Sequence, residues 1–63
     1  MTKDQLTERK RGKGGTIVYV HGQRLVVKDL MTRKNYNRPS RIGVGPEDRG
    51  IAWSVELDEV TLE

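Results

Sequence analysis

The residue types best suited to chemistry in this chain are concentrated in one short segment, "RKNYNRPSR", at positions 33 to 41. Five of its side chains are candidate contacts: Arg33, Lys34, Tyr36, Arg38 and Arg41. Arginine and lysine neutralise phosphate groups, and a tyrosine placed among them can stack on an unpaired base. The segment therefore predicts a nucleic-acid-binding loop built from these five side chains.

The same segment has a second interpretation as a solvated connection. In that case the charges keep a small protein in solution and Tyr36 folds back onto the domain. Pro39 removes one backbone donor and biases Arg38 toward an extended conformation, so a helix is not expected here. Only a clustered arrangement of the basic groups would make the loop a binding site.

Other kinds of site find little support in the sequence. The chain has no cysteine and a single histidine, His21, which excludes disulfides and the usual zinc ligand sets. The glycines after residue 11 lack the spacing of a phosphate-binding P-loop, and the acidic residues lack the spacing of an EF-hand. We therefore expect a non-enzymatic protein with no catalytic residue, no metal and no cofactor.

Charge is strongly segregated along the 63 residues. Residues 1 to 15 carry five bases and two acids, residues 16 to 45 carry six bases and one acid, and residues 46 to 63 carry one base and six acids. These segments sum to the net charge of +3. A basic surface attracts polyanions and an acidic one repels them, so an electrically polarised molecule is expected.

The first fifteen residues differ in texture from the rest. They end in "RKRGKGG" and contain one sizeable aliphatic residue, Leu6, besides Met1. This composition predicts a flexible basic tail over residues 1 to 15, followed by one domain over residues 16 to 63. The alternative is a short helix over residues 3 to 11, with Thr2 as N-cap and Gln5 as its capping-box partner.

The rest of the chain alternates like β-strands. "TIVYVH" and "RLVVKDLM" predict two strands joined by a tight turn near "HGQ", and "RIGVG" predicts a third. "IAWSVEL" alternates cleanly, but Val60 and Leu62 continue in the opposite phase, so a single helical turn or a bulge is expected between them. The fold class is therefore all-β: a small antiparallel barrel of four to five strands whose closure protects its edges.

The alternation also predicts which apolar side chains form the core. They are Ile17, Val18, Val20, Leu25, Val27, Leu30, Ile42, Val44, Ile51, Trp53, Val55, Leu57, Val60 and Leu62. Tyr19, Val26 and Met31 fall out of phase and are expected to present apolar surface outward. That surface is a candidate interface for a protein partner or for a second copy of the chain.

The pattern over residues 22 to 62 resembles the SH3-like small barrels, including the KOW-type modules of ribosomal and transcription proteins. The matching parts are "GQRLVVKDL", "RIGVG", "IAWSVELD" and, after a one-turn phase shift, "EVTL". The resemblance implies binding of RNA or protein through loops, with no catalytic residues.

Two functions from different classes follow. The first is a non-enzymatic module that contacts RNA or DNA backbone through the loop 33 to 41 and the basic tail. The second is a protein-interaction or assembly subunit that docks on a larger complex by Tyr19, Val26 and Met31 or by its oppositely charged ends. No apolar run is long enough to cross a bilayer and the start lacks a secretory signal, so a cytoplasmic location away from membranes is expected.

Overall fold

The computed structural model describes residues 2 to 9 and 14 to 63. Within them the chain forms seven strands and two single 3-10 turns. The strands are β1 Ile17–Val20, β2 Gln23–Asp29, β3 Thr32–Arg33, β4 Tyr36–Asn37, β5 Arg41–Gly45, β6 Trp53–Glu56 and β7 Val60–Leu62. The 3-10 turns are Lys3–Gln5 and Leu57–Glu59. The prediction of a small all-β antiparallel domain is confirmed.

Five strands form one antiparallel sheet in the order β6-β5-β2-β1-β7, and β3 pairs with β4 in a separate small hairpin. All five strands of the sheet contribute side chains to a single core cluster, so the sheet must curl around that cluster. Strands β6 and β7 are its two edges and are not paired with each other. The sheet is therefore curled without a closing ladder between its edges.

The second 3-10 turn produces the change of phase that the sequence predicts. Leu57–Glu59 connects the two edge strands, and the backbone N–H of Val60 donates to the carbonyl of Leu57. Val55 before the turn and Val60 after it are both buried in the core. A continuous strand would have placed Val60 on the opposite face from Val55, because side chains alternate with period two.

The turn between β1 and β2 is set by two residues with positive φ. His21 has φ 51° and Gly22 has φ 83°, and the flanking residues Val20 and Gln23 are paired. Two central residues with positive φ match the right-handed twist of an antiparallel pair. His21 is thus placed at an exposed hairpin tip.

The core is smaller than the alternation predicts. The buried cluster consists of Leu6, Val18, Val20, Leu25, Val27, Ile42, Val44, Val55 and Val60, with Leu30 and Leu57 packed against it. The assignment of Ile51, Trp53 and Leu62 to the core is wrong, since they are 52%, 40% and 40% exposed. Trp53 and Leu62 lie on edge strands, which have a neighbour on one side only.

The outward apolar surface expected from Tyr19, Val26 and Met31 is also wrong in its main part. Val26 is only 1% exposed and Met31 only 5% exposed, while Tyr19 is half-buried. On β2, Val26 lies between two residues whose side chains both contact Glu47, in the loop between β5 and β6. Arg24 forms an ion pair with Glu47 at 3.9 Å, and Lys28 Nζ donates to the Glu47 carbonyl at 3.2 Å. These two contacts place Glu47 near the side of β2 that carries Val26.

The described part of the predicted tail comprises residues 2 to 9 and residues 14 and 15, and residues 2 to 9 pack on the sheet. Thr2 caps a 3-10 turn of three residues, and its backbone N–H donates to Gln5 Oε1 at 2.8 Å. This contact pairs the two residues that the capping-box alternative names, although the turn is shorter than the expected helix. Residues 10 to 13 lie outside the described residues, and the flexibility of residues 1 to 15 stays a prediction.

Residues 2 to 9, which we call the leader, supply hydrogen-bond partners at one end of the main sheet. At the open end of the β1–β2 ladder, Val27 N–H donates to Thr16 O at 3.0 Å. The reciprocal bond, from Thr16 N–H to Val27 O, is not formed. Thr16 N–H donates instead to Thr7 O at 3.1 Å, and Arg9 N–H donates to Val27 O at 2.9 Å. Leu6, just before this bridge, is 5% exposed and belongs to the core cluster.

Gly15 is fixed by the same close approach of backbones. A Cβ at this position would lie 2.5 Å from Val27 O, 2.9 Å from Thr7 O and 3.0 Å from Arg9 N. Any side chain would therefore collide with rigid backbone atoms on both sides of the bridge. The glycine that suggests flexibility in the sequence is required here by packing.

The docking of the leader makes a testable prediction for adjacent glycines. Gly15→Ala should destabilise the domain by about 1–3 kcal/mol, because the new methyl group overpacks the bridge. Gly14→Ala is the matched control, since a Cβ there meets nothing within 4 Å. Urea or thermal denaturation measures both variants, and equal stabilities would contradict the docked leader.

Candidate nucleic-acid interface

The predicted basic loop is a small hairpin that projects from the end of β2. Thr32 pairs with Asn37 and Arg33 pairs with Tyr36, with Lys34 and Asn35 in the turn. The sequence contains a signal for this hairpin, since asparagine is a common turn residue and tyrosine and threonine favour strands. Residues 32 to 37 thus form a paired β-hairpin, which we call the basic hairpin.

The base of the basic hairpin is held by backbone and Asp29. Met31 has a positive φ of 55°, and its N–H donates to Asp29 Oδ1 at 2.8 Å. Arg38 N–H donates to Met31 O at 2.9 Å, which joins the two ends of the hairpin. Arg41 N–H then donates to Arg38 O at 3.1 Å as the chain enters β5. The path into and out of the hairpin is therefore hydrogen-bonded at each step.

Two of the five predicted contact residues lie on the outer part of the hairpin. Arg33 and Lys34 are exposed, and neither forms an ion pair with any residue that the structure describes. Tyr36 lies on β4, but its side chain is outside the described part of the structure, so its stacking role stays a prediction. Arg33 and Lys34 hold their charges in solvent, where a phosphate group can reach them.

Arg41 belongs to the sheet and its guanidinium is already bonded. It faces Glu56 across the β5–β6 pair, and its Nη1 donates to Glu56 Oε1 at 2.6 Å. Its Nη2 donates to both the carbonyl and the hydroxyl oxygen of Ser54 at 3.1 Å. Most of its five donors are therefore used inside the protein.

Arg38 and Arg41 nevertheless meet in one open cleft. The cleft has a volume of about 350 Å³ and is lined by Met31, Arg38, Arg41 and Ser54. Arg33 and Lys34 are not part of its lining. The structure thus brings the predicted residues together in two groups: one pair in the cleft at the base of the hairpin, and one pair further out along the hairpin.

A further basic residue, Lys3, reaches the base of the hairpin and is not suggested by the sequence pattern. Its ammonium donates to the backbone carbonyls of Leu30 and Arg38, and lies 3.4 Å from the carbonyl of Met31. Burial lowers the pKa of Lys3 from its ordinary value of 10.5, and the charge of Asp29 partly offsets that effect. No periodicity links Lys3 to residues 27 to 35 positions away, so only the fold reveals this contact.

The ion-paired acids of the last segment lie mostly near the start of β2. Glu63 approaches Arg24 at 3.7 Å, and Glu59 approaches His21 at 3.7 Å in the hairpin tip. The basic hairpin begins after Asp29, five positions and roughly 17 Å along the strand from Arg24. Part of the acidic last segment therefore lies apart from the basic hairpin in the folded structure.

Two other kinds of site were sought in the part of the chain that the structure describes. No group of three or more His, Cys, Asp or Glu side chains in that part is arranged to hold a metal ion. Likewise, none of the helical segments described is long and apolar enough to cross a membrane.

Comparison with known proteins provides no relative from which a site could be transferred. No protein-family model matches the chain, and searches of curated proteins and of solved structures likewise give no match. The assignment of function consequently depends on geometry and charge.

The Arg41–Glu56 pair predicts a pH-dependent contribution to stability. The hydrogen bond from Arg41, followed by one from Ser40, lowers the pKa of Glu56 from its ordinary value of 4.5. A lowered pKa in the folded state means that the ionised carboxylate stabilises the fold at neutral pH. This contribution is lost as the pH falls through the folded-state value.

Wild type should therefore be more resistant to urea than Glu56→Gln at pH 7, and the difference between the two midpoints should shrink near about pH 3. Denaturation curves at both pH values measure this difference. A gap of the same size at both values would show that the charge of Glu56 is not responsible.

Proposed function

We propose that this chain is a non-enzymatic binding module that contacts the phosphate backbone of RNA or DNA through the basic hairpin and the cleft at its base. The observation that carries the proposal is the placement of Arg38 and Arg41 in one open cleft, below a hairpin on which Arg33 and Lys34 are exposed. Two such pairs of cationic side chains can contact phosphate groups that are spaced along a nucleic-acid strand.

The charge around the hairpin supports a polyanion as the partner. The sequence has no acidic residue between Asp29 and Glu47, a stretch that contains four bases. Beside the cleft, Glu56 is paired with Arg41. A polyanion that approaches the hairpin from outside therefore meets Arg33 and Lys34 before any carboxylate on the same segment.

The fold is consistent with a loop-based binding mode. We propose, from the sequence pattern over residues 22 to 62, that the chain is related to the SH3-like small barrels, and the single 3-10 turn before the last strand is compatible with this proposal. In such a barrel the sheet is a rigid support and the connections carry the contacts. The basic hairpin is an insertion of this kind, between β2 and β5.

The alternative, an assembly subunit that binds protein, needs a different surface from the one expected from Val26 and Met31. The described surface exposes Trp53 on β6 and Leu62 on β7, at the two edges of the sheet. Edge strands with exposed apolar side chains are sites where another chain can add. A partner bound there would give affinity with little dependence on salt.

Binding through phosphates predicts a change in salt dependence for a single residue of the basic hairpin. Lys34→Gln should weaken binding to any oligonucleotide sequence and reduce the slope of log affinity against log salt by about 1, because one phosphate contact is removed. Arg49→Gln is the matched control, since Arg49 is exposed on the loop after β5 and carries the same charge. Fluorescence anisotropy with single-stranded RNA and DNA at several salt concentrations measures both.

An identical slope for Lys34→Gln and Arg49→Gln would mean that only net charge attracts the oligonucleotide, and would contradict a site on the hairpin. Absence of binding by the wild-type chain even at low salt would reject the proposal. A salt-independent protein complex that is lost on Trp53→Ser would support the assembly subunit in its place.

The Arg41–Glu56 pair gives a second prediction, with the opposite sign. Glu56→Gln should strengthen oligonucleotide binding, because it removes the carboxylate that neutralises Arg41 beside the cleft. Glu63→Gln removes the same charge beside Arg24, where it is not part of the cleft lining, and should have a smaller effect. Equal gains in the two variants, or a loss in Glu56→Gln, would contradict a role for the cleft.

A further inference from the structure

Lys3 contacts both ends of the basic hairpin at once. Its ammonium donates to the carbonyl of Leu30, just before the hairpin, and to the carbonyl of Arg38, just after it. A third carbonyl, that of Met31, lies 3.4 Å from the same nitrogen. Three backbone oxygens from two chain segments therefore converge on one cation.

An ammonium group has three donors and no acceptor, so it suits a site formed by three carbonyl oxygens. Two of those oxygens also accept a backbone hydrogen bond, Met31 O from Arg38 N–H and Arg38 O from Arg41 N–H, and Lys3 adds the one positive charge that all three oxygens share. Asp29 adds a full negative charge nearby and raises the preference for a cation at this position. The geometry at the base of the hairpin is thus complementary to Lys3 in both number and charge.

Lys3 is itself held at a fixed distance from the sheet. Leu6 is buried in the core, and Thr7 and Arg9 bridge the open end of the β1–β2 ladder by backbone hydrogen bonds. The leader therefore has two anchors: one in the main sheet, and one at the hairpin. In this docked state we call the leader, residues 2 to 9, the strap.

We infer that Lys3 is a positioning residue, through which the docked strap holds the basic hairpin in a fixed orientation relative to the sheet. The paired strands of the hairpin are only two residues long each, and a ladder of this size is marginal by itself. The hairpin thus gains its order from its base, where Lys3 joins the two ends. Docking of the strap and ordering of the hairpin are coupled events.

The consequence for binding rests on the proposed function, whereas the consequence for hairpin order does not. A hairpin already ordered presents its cations without a further loss of conformational entropy when the partner binds. Loss of the Lys3 contact should therefore weaken nucleic-acid binding even though Lys3 touches the hairpin base and not its exposed cations.

The test is amide hydrogen exchange, followed by NMR, on the full chain with Lys3→Met. Methionine keeps the apolar stem of lysine and removes the ammonium group. The reporter is the amide of Arg38, which donates to Met31 O at 2.9 Å. Its exchange should accelerate by about tenfold or more, because a charge-assisted contact across the hairpin base is lost.

Lys28→Met is the matched control. Lys28 is also a half-buried lysine whose ammonium donates to a backbone carbonyl, but that carbonyl belongs to Glu47 in the loop between β5 and β6 and not to the hairpin base. This variant should leave exchange at Arg38 unchanged. The amides of β1, β2 and β5 provide the internal reference for global stability in both variants.

Faster exchange confined to Arg38 and the hairpin supports the inference. Unchanged exchange at Arg38 in Lys3→Met overturns it, and so does a uniform loss of protection across β1, β2 and β5, which would make Lys3 a support of the whole fold. Oligonucleotide affinity is measured on the same samples. If wild type binds no oligonucleotide but Lys3→Met still accelerates exchange at Arg38, the proposed function is rejected while the coupling of strap and hairpin is supported.

Discussion

The opening of the β1–β2 ladder at Thr16 and Val27 is the constraint on which the rest of the structure depends. Each backbone N–H and C=O that a strand leaves unpaired in a packed region must find another partner. Thr7 and Arg9 supply those partners, and this requirement fixes where the leader runs. From that path follow the burial of Leu6, the need for glycine at position 15 and the approach of Lys3 to the hairpin.

Much of the sheet could be predicted because alternation is a local signal. The clean pattern around Val55 and the change of phase before Val60 were enough to predict a strand, a single helical turn or a bulge after it, and a last strand, and the structure has the helical turn. The same signal could not tell how well each strand is covered. Trp53 alternates with the core but lies at an edge, and Val26 is out of phase yet is buried on the side of β2 near Glu47.

The leader and the site were harder to predict because their contacts are not local. A lone Leu6 in a charged segment gives no periodic signal, and Gly15 next to Gly14 suggests flexibility although it is required by close packing. The basic composition of residues 33 to 41 was visible, but the sequence could not show that Arg41 is bonded to Glu56 while Lys34 is exposed. Composition thus identified the segment, and tertiary structure sorts its members into bonded and accessible cations.

The most direct measurement of the central claim, that the basic hairpin contacts nucleic-acid phosphates, is an NMR titration of the wild-type chain with a short single-stranded oligonucleotide at low salt. We expect chemical shift changes on the amides of residues 32 to 41 and on Ser54 in the cleft, with little change at the His21 turn and in β7. Changes confined to β7 and the His21 turn, or no change at all, would contradict the claim.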